Sequence, residues 1–389
     1  MKLLVVASAI DLNYRLGCTP AWWQLLKALH ETGNEVIVTP YLGQPVESLW
    51  WRTYRNPCRR ESMIFNSYLE RRKKAGMLPA RRNMLSPVFE RIIKHYVRPR
   101  WEKHLLSILE MEAEVDAVLF MSVPINHMSG IPSKIKQATG IPVIHYDGDM
   151  PIILPKYATD SAYKFNYYEN ADLSEYDAFL SNSKGVTADL EEMGAKNIHP
   201  LHYAVDPELC LPIDVEKDID ISFFGYGSEF REEWMAKLIA IPSQKMPNVR
   251  FVVAGGGFRI DLGNAEIIGD LSYSEWRRFC CRSKINLNIT RWSHASVYAS
   301  STMRPFELAA FGSCIVSQPY NGIEEWFEVG KELFVVQSED EAIETYRHLL
   351  SDDEERNQTG NRARERVLRE HTFKHRASEL TDIIQRLKT

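Results

Sequence analysis

Residues 304–327 read RPFELAAFGSCIVSQPYNGIEEWF. Pro305 suits the first turn of a helix, where its missing N–H costs nothing. Leu308, Ala309, Ala310 and Phe311 supply packing residues, and Gly312 closes the helix. CIVSQ (314–318) then reads as a short buried strand, followed by a turn and a second acidic helix start. A helix, a strand and a turn in so few residues form half of a βα repeat. The fold is decided by whether the rest of the chain repeats it.

It does, twice. KLLVVAS, EVIVTP, DAVLFMS (116–122), IPVIHYD (141–147), YDAFLSNS and IHPLHYAV read as strands, with helices at PAWWQLLKALHETG, GIPSKIKQATG and KGVTADLEEMG. The first of these helices follows a loop holding Gly17, has Pro20 near its start and Gly33 at its end. The pattern restarts with DISFFGYG (220–227), then a helix over SEFREEWMAKLIAI, RFVVAGGG (250–257), a helix at YSEWRRFCCRS and KINLNIT (284–290). ELFVV, EDEAIETYRHLL and a final amphipathic helix in HTFKHRASELTDIIQRLK complete it. Two runs of βα units predict two doubly wound parallel sheets, each helix-covered on both faces. We expect an N-terminal domain over 1–205 with a basic helical insertion at 52–112, a second domain over 206–370, and a closing helix over 371–389 that packs back. Ligands of such sheets bind at the strand C-terminal ends, here in a cleft between the domains.

Composition agrees with a soluble, globular chain. Of 389 residues, 44% are hydrophobic and 25% charged, and no run approaches the roughly 20 apolar residues of a membrane span. MKLLVVASAI is followed by DLNYR and not by a cleavage site, so it reads as a buried first strand. Cysteines 18, 58, 210, 280, 281 and 314 are scattered with no C-x-x-C pair, which fits a reducing cytoplasm. The formal net charge is −5, yet residues 52–104 hold 15 Lys and Arg against 4 Asp and Glu. That local excess points to an anionic partner. Within it, Leu85, Phe89, Ile92, Tyr96, Trp101, Leu105 and Ile108 form a helical stripe expected to be core, with Pro99 kinking or splitting the helix. The sharper reading is a docking surface for an anionic acceptor or a membrane surface, with peripheral attachment.

Four segments carry candidate chemistry. In FFGYGSEFREEW, Gly225 and Gly227 lie between strand and helix, where backbone amides can approach a phosphate. Arg231, one turn in, can reach the same anion. A plain strand-to-helix turn is the alternative, for neither the dinucleotide fingerprint nor the Walker pattern is complete. AGGGF (254–258) is a turn or a close approach. In RPFE, Arg304 can hold phosphate bidentately. Glu307 either complements the helix dipole or takes both hydroxyls of a ribose. HYDGDMP (145–151) holds Asp147 and Asp149, spaced to chelate a metal between diphosphate oxygens or to supply one carboxylate base. No metal is expected. His145 reads as a core histidine, and His127 is a lesser candidate.

These motifs resemble a family. R-x-F-E-x-x-A-x-G (Arg304, Phe306, Glu307, Ala310, Gly312) followed by G-x-E-E-x-F-x-x-G-x-E (Gly322, Glu324, Glu325, Phe327, Gly330, Glu332) resembles the nucleotide-sugar glycosyltransferases of GT-B fold, group 1, in their CgeB-like (spore-maturation type) branch. HTFKHRASEL resembles the closing helix of that family, and ISFFGYGSEFR the first strand of its donor domain. The likeness covers roughly 220–385; the first half matches in layout only. The resemblance implies a metal-independent glycosyltransferase with a UDP- or GDP-linked sugar as substrate and no cofactor. It implies that Glu307 binds the donor ribose, that Arg231 and Arg304 hold the diphosphate beside the Gly225 and Gly227 turn, and that Glu324 lies near the sugar. Asp149, or second to it Asp147, takes the acidic catalytic place. Many retaining members carry a glutamate eight positions before the ribose glutamate. Here that position is Ala299, so stereochemistry stays open. A sugar-nucleotide epimerase and a non-catalytic nucleotide- or sugar-binding protein are the alternatives. A nucleic-acid partner is not expected, because the interleaved surface aromatics and known modules are missing.

Overall fold

The computed structural model describes residues 1–10, 21–61, 86–154, 156–157, 167–227 and 231–389. Expectations placed on Gly17, Cys18, Pro20, Leu85 and the helix start at 228–230 lie outside these residues, as does the side chain of Phe89.

The chain forms two compact units. The first takes the described residues up to Leu201, apart from 21–24, together with 377–389; the second takes 21–24 and His202–Arg376. The first unit is built on seven parallel strands: β1 (Lys2–Ala9), β2 (Glu35–Leu42), β3 (Arg52–Thr53), β4 (Ala117–Met121), β5 (Val143–Asp147), β6 (Ala178–Ser181) and β7 (Ile198–Pro200). Their order is β3-β2-β1-β4-β5-β6-β7. Leu3 to Ala7 and Ala117 to Met121 are buried without a break, as a parallel sheet covered on both faces demands. The helix Ala21–Glu31 buries Leu25, Leu26 and Leu29. It ends where Gly33 takes φ +89°.

The second unit has six parallel strands: β8 (Ile219–Phe224), β9 (Phe251–Ala254), β10 (Glu266–Ile267), β11 (Ser283–Asn288), β12 (Cys314–Ser317) and β13 (Phe334–Val335). Their order is β10-β9-β8-β11-β12-β13. Separate apolar cores cover its two faces. Trp276, Phe279, Phe306 and Trp326 lie in one, and Met235, Leu238, Ile343 and Tyr346 in the other. In each sheet the winding reverses next to the first strand, between β1 and β4 and between β8 and β11. That reversal is the topological switch point, where open α/β sheets bind ligands. The two doubly wound parallel α/β units expected from the sequence are both present.

Three expectations are corrected. The second acidic helix start in 304–327 is only a 3-10 turn, Ile323–Glu325. Among the described residues, the basic stripe is core in its second half. Trp101, Leu105 and Ile108 are buried in the helix Arg98–Met111, whereas Ile92 is 44% and Tyr96 38% exposed. Pro99 does not split the helix. A wide turn over Ile93–Val97 precedes it, in which the Arg98 amide donates to the Ile93 carbonyl, and the chain stays helical through Pro99. The long helix Asp353–Glu370, capped by the Asp352 side chain, completes the second unit. The final helix, Phe373–Lys388, ends with Lys388 paired to Asp116 in the first unit's share of the chain.

Candidate functional site

The switch point of the second unit gathers most of the candidates. β8 ends at Phe224, and the turn that follows packs tightly on the turn after β9. The Gly225 amide donates to the Ala254 carbonyl at 3.0 Å, and the Gly227 amide to that of Gly256 at 2.9 Å. A Cβ on Gly227 would sit 2.6 Å from Phe258 Cα, and one on Gly255, at φ +119°, would meet the Gly225 carbonyl. These glycines are therefore required by turn-on-turn packing. The amides of Gly225 and Gly227, expected to approach a phosphate, each donate to a backbone carbonyl here.

Arg231 stands at the N-cap of Glu232–Met235 and not one turn in. Its guanidinium donates to the carbonyls of Ile289 (3.2 Å) and Tyr226 (3.1 Å), which ties the end of β11 to the turn after β8.

Arg304 and Glu307 lie on the helix Met303–Ala310, behind Thr302, whose side chain makes no capping bond. The helix start thus keeps its amide dipoles free of a side-chain cap. The Arg304 guanidinium lies over Phe224 at 4.8 Å and over Trp276 at 4.6 Å. Two aromatic faces hold the cation in place while leaving its N–H groups to others, and Nη1 is buried with no hydrogen-bond partner. Nη1 is 3.9 Å from Glu307 Oε2, too far for a hydrogen bond. Glu307 is only 4% exposed. Burial raises its carboxyl above the ordinary range, and the Arg304 charge opposes that in part. Glu307 sits past the first turn, so helix capping does not account for it. Here the two charges are placed together and neither is satisfied by the other.

Sequence reasoning missed the rest of this lip. His294 is 2% exposed, its Nδ1 has no partner, and burial with the charges of Arg291 and Arg231 holds it neutral, well below its usual range. Asn288 Oδ1, Ser293 Oγ and Gln318 Oε1 are buried and unpartnered as well. Buried polar atoms are rarely left so; Asn288 is the last residue of β11, Ser293 lies in the short helix Trp292–Ser296 after it, and Gln318 directly follows β12. The only trace in the sequence was the polar run after KINLNIT. Glu324 lies on the exposed 3-10 turn, next to Glu325, which accepts a hydrogen bond from the Tyr298 hydroxyl at 2.6 Å. Ala299 is buried at φ +45°. A Cβ at Gly322 would come within 2.7 Å of Ala299 Cα, so the two turns interlock.

In the first unit, Asp147 ends β5 and is held by its own loop. Oδ2 accepts from the Tyr168 hydroxyl at 2.8 Å and Oδ1 from the Asp149 amide at 3.0 Å. The turn continues through a cis Met150–Pro151 bond, with the Asn182 side chain bonded to both the amide and the carbonyl of Met150. Asp149 is half-buried on this braced turn. His145 is a core residue, stacked on Phe179 at 5.0 Å and edge-on to Tyr176. His127 follows β4, at the switch point of the first sheet, and is bonded to the Tyr41 hydroxyl. Burial and the Arg98 charge lower it to about 4, so it is a neutral partner at physiological pH.

Residues 231–382 match the family described as "Glycosyl transferase-like". The whole chain is similar in fold to several solved structures. Sucrose-phosphate synthase of Thermosynechococcus elongatus superposes with TM-score 0.66 at 12% identity, over 99% of this chain and 98% of the other. Anabaena HepE in complex with UDP gives 0.61 at 11% identity, over 99% and 100%. An E. coli structure described as trehalose-6-phosphate bound with UDP-2-fluoro glucose gives 0.62 at 12%, over 99% of each chain. No curated protein sequence matches.

Proposed function

We propose that this protein is a glycosyltransferase that moves a sugar from a nucleoside-diphosphate sugar to an acceptor. One observation carries the reading: at the switch point of the second sheet, Arg304 is braced on Phe224 and Trp276 with Nη1 unpartnered, beside the buried Glu307 and an uncapped helix start. A diphosphate answers the arginine and the helix dipole, and a ribose diol answers the carboxylate. The similarity of residues 231–382 to glycosyl transferases supports this, as does the UDP held by the Anabaena relative in fold.

Arg231 and Arg304 hold the diphosphate, Glu307 the ribose, and Glu324 lies toward the sugar. The bond from the anomeric carbon to the β-phosphate oxygen breaks and an acceptor oxygen takes that carbon. The acceptor proton passes to a base, for which Asp149 is our first choice and Asp147 our second. Cationic side chains and the helix start stabilise the departing diphosphate, so no metal is required. On the acceptor side, the basic segment 52–104 meets an anionic or a membrane-linked acceptor. Val88 (51% exposed), Ile92 and Tyr96 beside Arg91 and Lys94 are consistent with that. No helix among the described residues is long and apolar enough to cross a membrane.

The test is product analysis with UDP-glucose, GDP-mannose and ADP-glucose, with and without EDTA. Slow release of free sugar and nucleoside diphosphate, insensitive to EDTA, is expected without acceptor. Conversion of the donor to an epimer would favour the epimerase reading. Binding with no turnover under any added acceptor would favour a non-catalytic protein.

A further inference from the structure

Within the first unit, the helix Arg98–Met111 is anchored by Trp101, Leu105 and Ile108, each fully buried. The helical turns before it leave apolar side chains in solvent: Val88, Ile92 and Tyr96. These three are spaced by four residues. In an α-helix that spacing drifts around the axis by about 40° per step. The wide turn over Ile93–Val97 holds more residues per turn and takes up the drift between Ile92 and Tyr96. The row continues to Arg100, whose guanidinium lies 3.6 Å over the Tyr96 ring. Arg91, His95 and Pro99, also four apart and exposed, form a second row beside it. Arg91, His95 and the exposed Lys94 have no ion pair or hydrogen bond among the described residues. Of the acids nearby, Glu61 is engaged by the Tyr96 hydroxyl at 2.7 Å and by Arg100 at 2.8 Å. Glu90, two residues from Val88 and from Ile92, falls on the far side of the helix.

We propose that this face docks on the surface of a bilayer carrying anionic lipids. Val88, Ile92 and the Tyr96 ring enter the boundary between headgroups and acyl chains, and Arg91 and Lys94 meet the lipid phosphates. A soluble polyanion would engage the cations and leave the apolar row in water. An anionic bilayer satisfies both, and an aromatic ring with a polar tip suits headgroup depth. The charge of the surrounding segment has the matching sign, with 15 Lys and Arg against 4 Asp and Glu over 52–104. Because Trp101, Leu105 and Ile108 already hold the helix on the first sheet's unit, docking needs no coupled folding. This deepens the reading above by committing its anionic or membrane-linked partner to a bilayer, and it stands without the transfer chemistry.

Flotation of the full chain with vesicles tests it, using phosphatidylcholine alone and equimolar phosphatidylcholine and phosphatidylglycerol, at low and at high salt. Wild type should bind the anionic vesicles at least ~10-fold more tightly than the neutral ones, with the difference shrinking at high salt. Val88→Ser/Ile92→Ser and Arg91→Gln/Lys94→Gln should each weaken binding to anionic vesicles ~10-fold or more, while both melt as wild type does. No binding to anionic vesicles, or equal binding to neutral ones, would overturn the proposal. A loss with the charge variant and none with the apolar variant would make the face a site for soluble polyanions and overturn bilayer docking. A dimer in vesicle-free solution that Val88→Ser/Ile92→Ser dissociates would assign the face to a second copy and overturn it as well. A lowered melting temperature of the apolar variant would mean that the row packs within the chain, again against docking. Nucleotide titrations on the same proteins keep the two readings apart: vesicle binding without any nucleotide binding by wild type would bring down the nucleotide-sugar reading and leave the docking face standing.

Discussion

Burial lifts the Glu307 carboxyl, and Arg304 at 3.9 Å compensates only in part. A carboxyl whose folded pKa is raised is harder to ionise folded than unfolded, so its charge works against stability at high pH. That penalty fades as pH falls through the raised pKa. Glu307→Gln should therefore melt no lower than wild type at pH 8, with any gain shrinking toward pH 5, while nucleotide affinity drops ~10-fold or more. Nucleotide binding by wild type should weaken over the same fall in pH. A Glu307→Gln protein that melts lower and binds equally well would make the residue structural. The RPFE run made this pair legible, since a cation and a carboxylate beside a proline at a helix start are visible in one dimension. Asn288, His294 and Gln318 were not legible. Their meaning lies in burial without a partner, which no residue type announces.

Among the elements, turns and edges set the local stability. Gly255 is in left-handed backbone against the Gly225 carbonyl. Gly255→Ala should cost about 2 kcal/mol or more through strain and overlap with rigid backbone, read as a fall in denaturation midpoint. The sequence showed glycine there but not why: turn packing and phosphate binding ask for the same residue. At the edge of the first sheet, Glu112 joins Arg52, Tyr54 and Lys2. Burial raises its pKa, but the hydrogen bonds outweigh this and hold it down to about 2. A depressed carboxyl stabilises above its unfolded pKa, and that contribution is lost as pH falls from about 4.5 toward 2. Glu112→Gln should lower stability by about 1–2 kcal/mol at pH 7 and make little difference near pH 2; an equal loss at both would deny the linkage. The two-residue strand at Arg52–Thr53 escaped the sequence because its pairing depends on this network and not on an apolar run.

At the scale of the whole molecule, the doubly wound pattern was legible because parallel strands are continuous apolar runs and their crossovers are helices of 3.6-residue period. The order of the strands was not legible, because the same alternation serves more than one doubly wound order; the structure gives β3-β2-β1-β4-β5-β6-β7 and β10-β9-β8-β11-β12-β13. Less legible was which half of the basic stripe is core, since Ile92 and Trp101 look alike in sequence and differ in burial. The central claim is that the lip formed by Arg304, Glu307 and the ends of β8 and β11 is a nucleotide site. The most direct measurement is titration calorimetry with UDP, GDP, ADP, dTDP and CMP on wild type and on Arg304→Ala/Glu307→Ala, with circular dichroism to confirm an unchanged fold. One nucleoside diphosphate should bind wild type and bind the double variant at least ~100-fold more weakly, a loss of about 2.7 kcal/mol. Equal binding by both proteins, or none by either, would contradict the account.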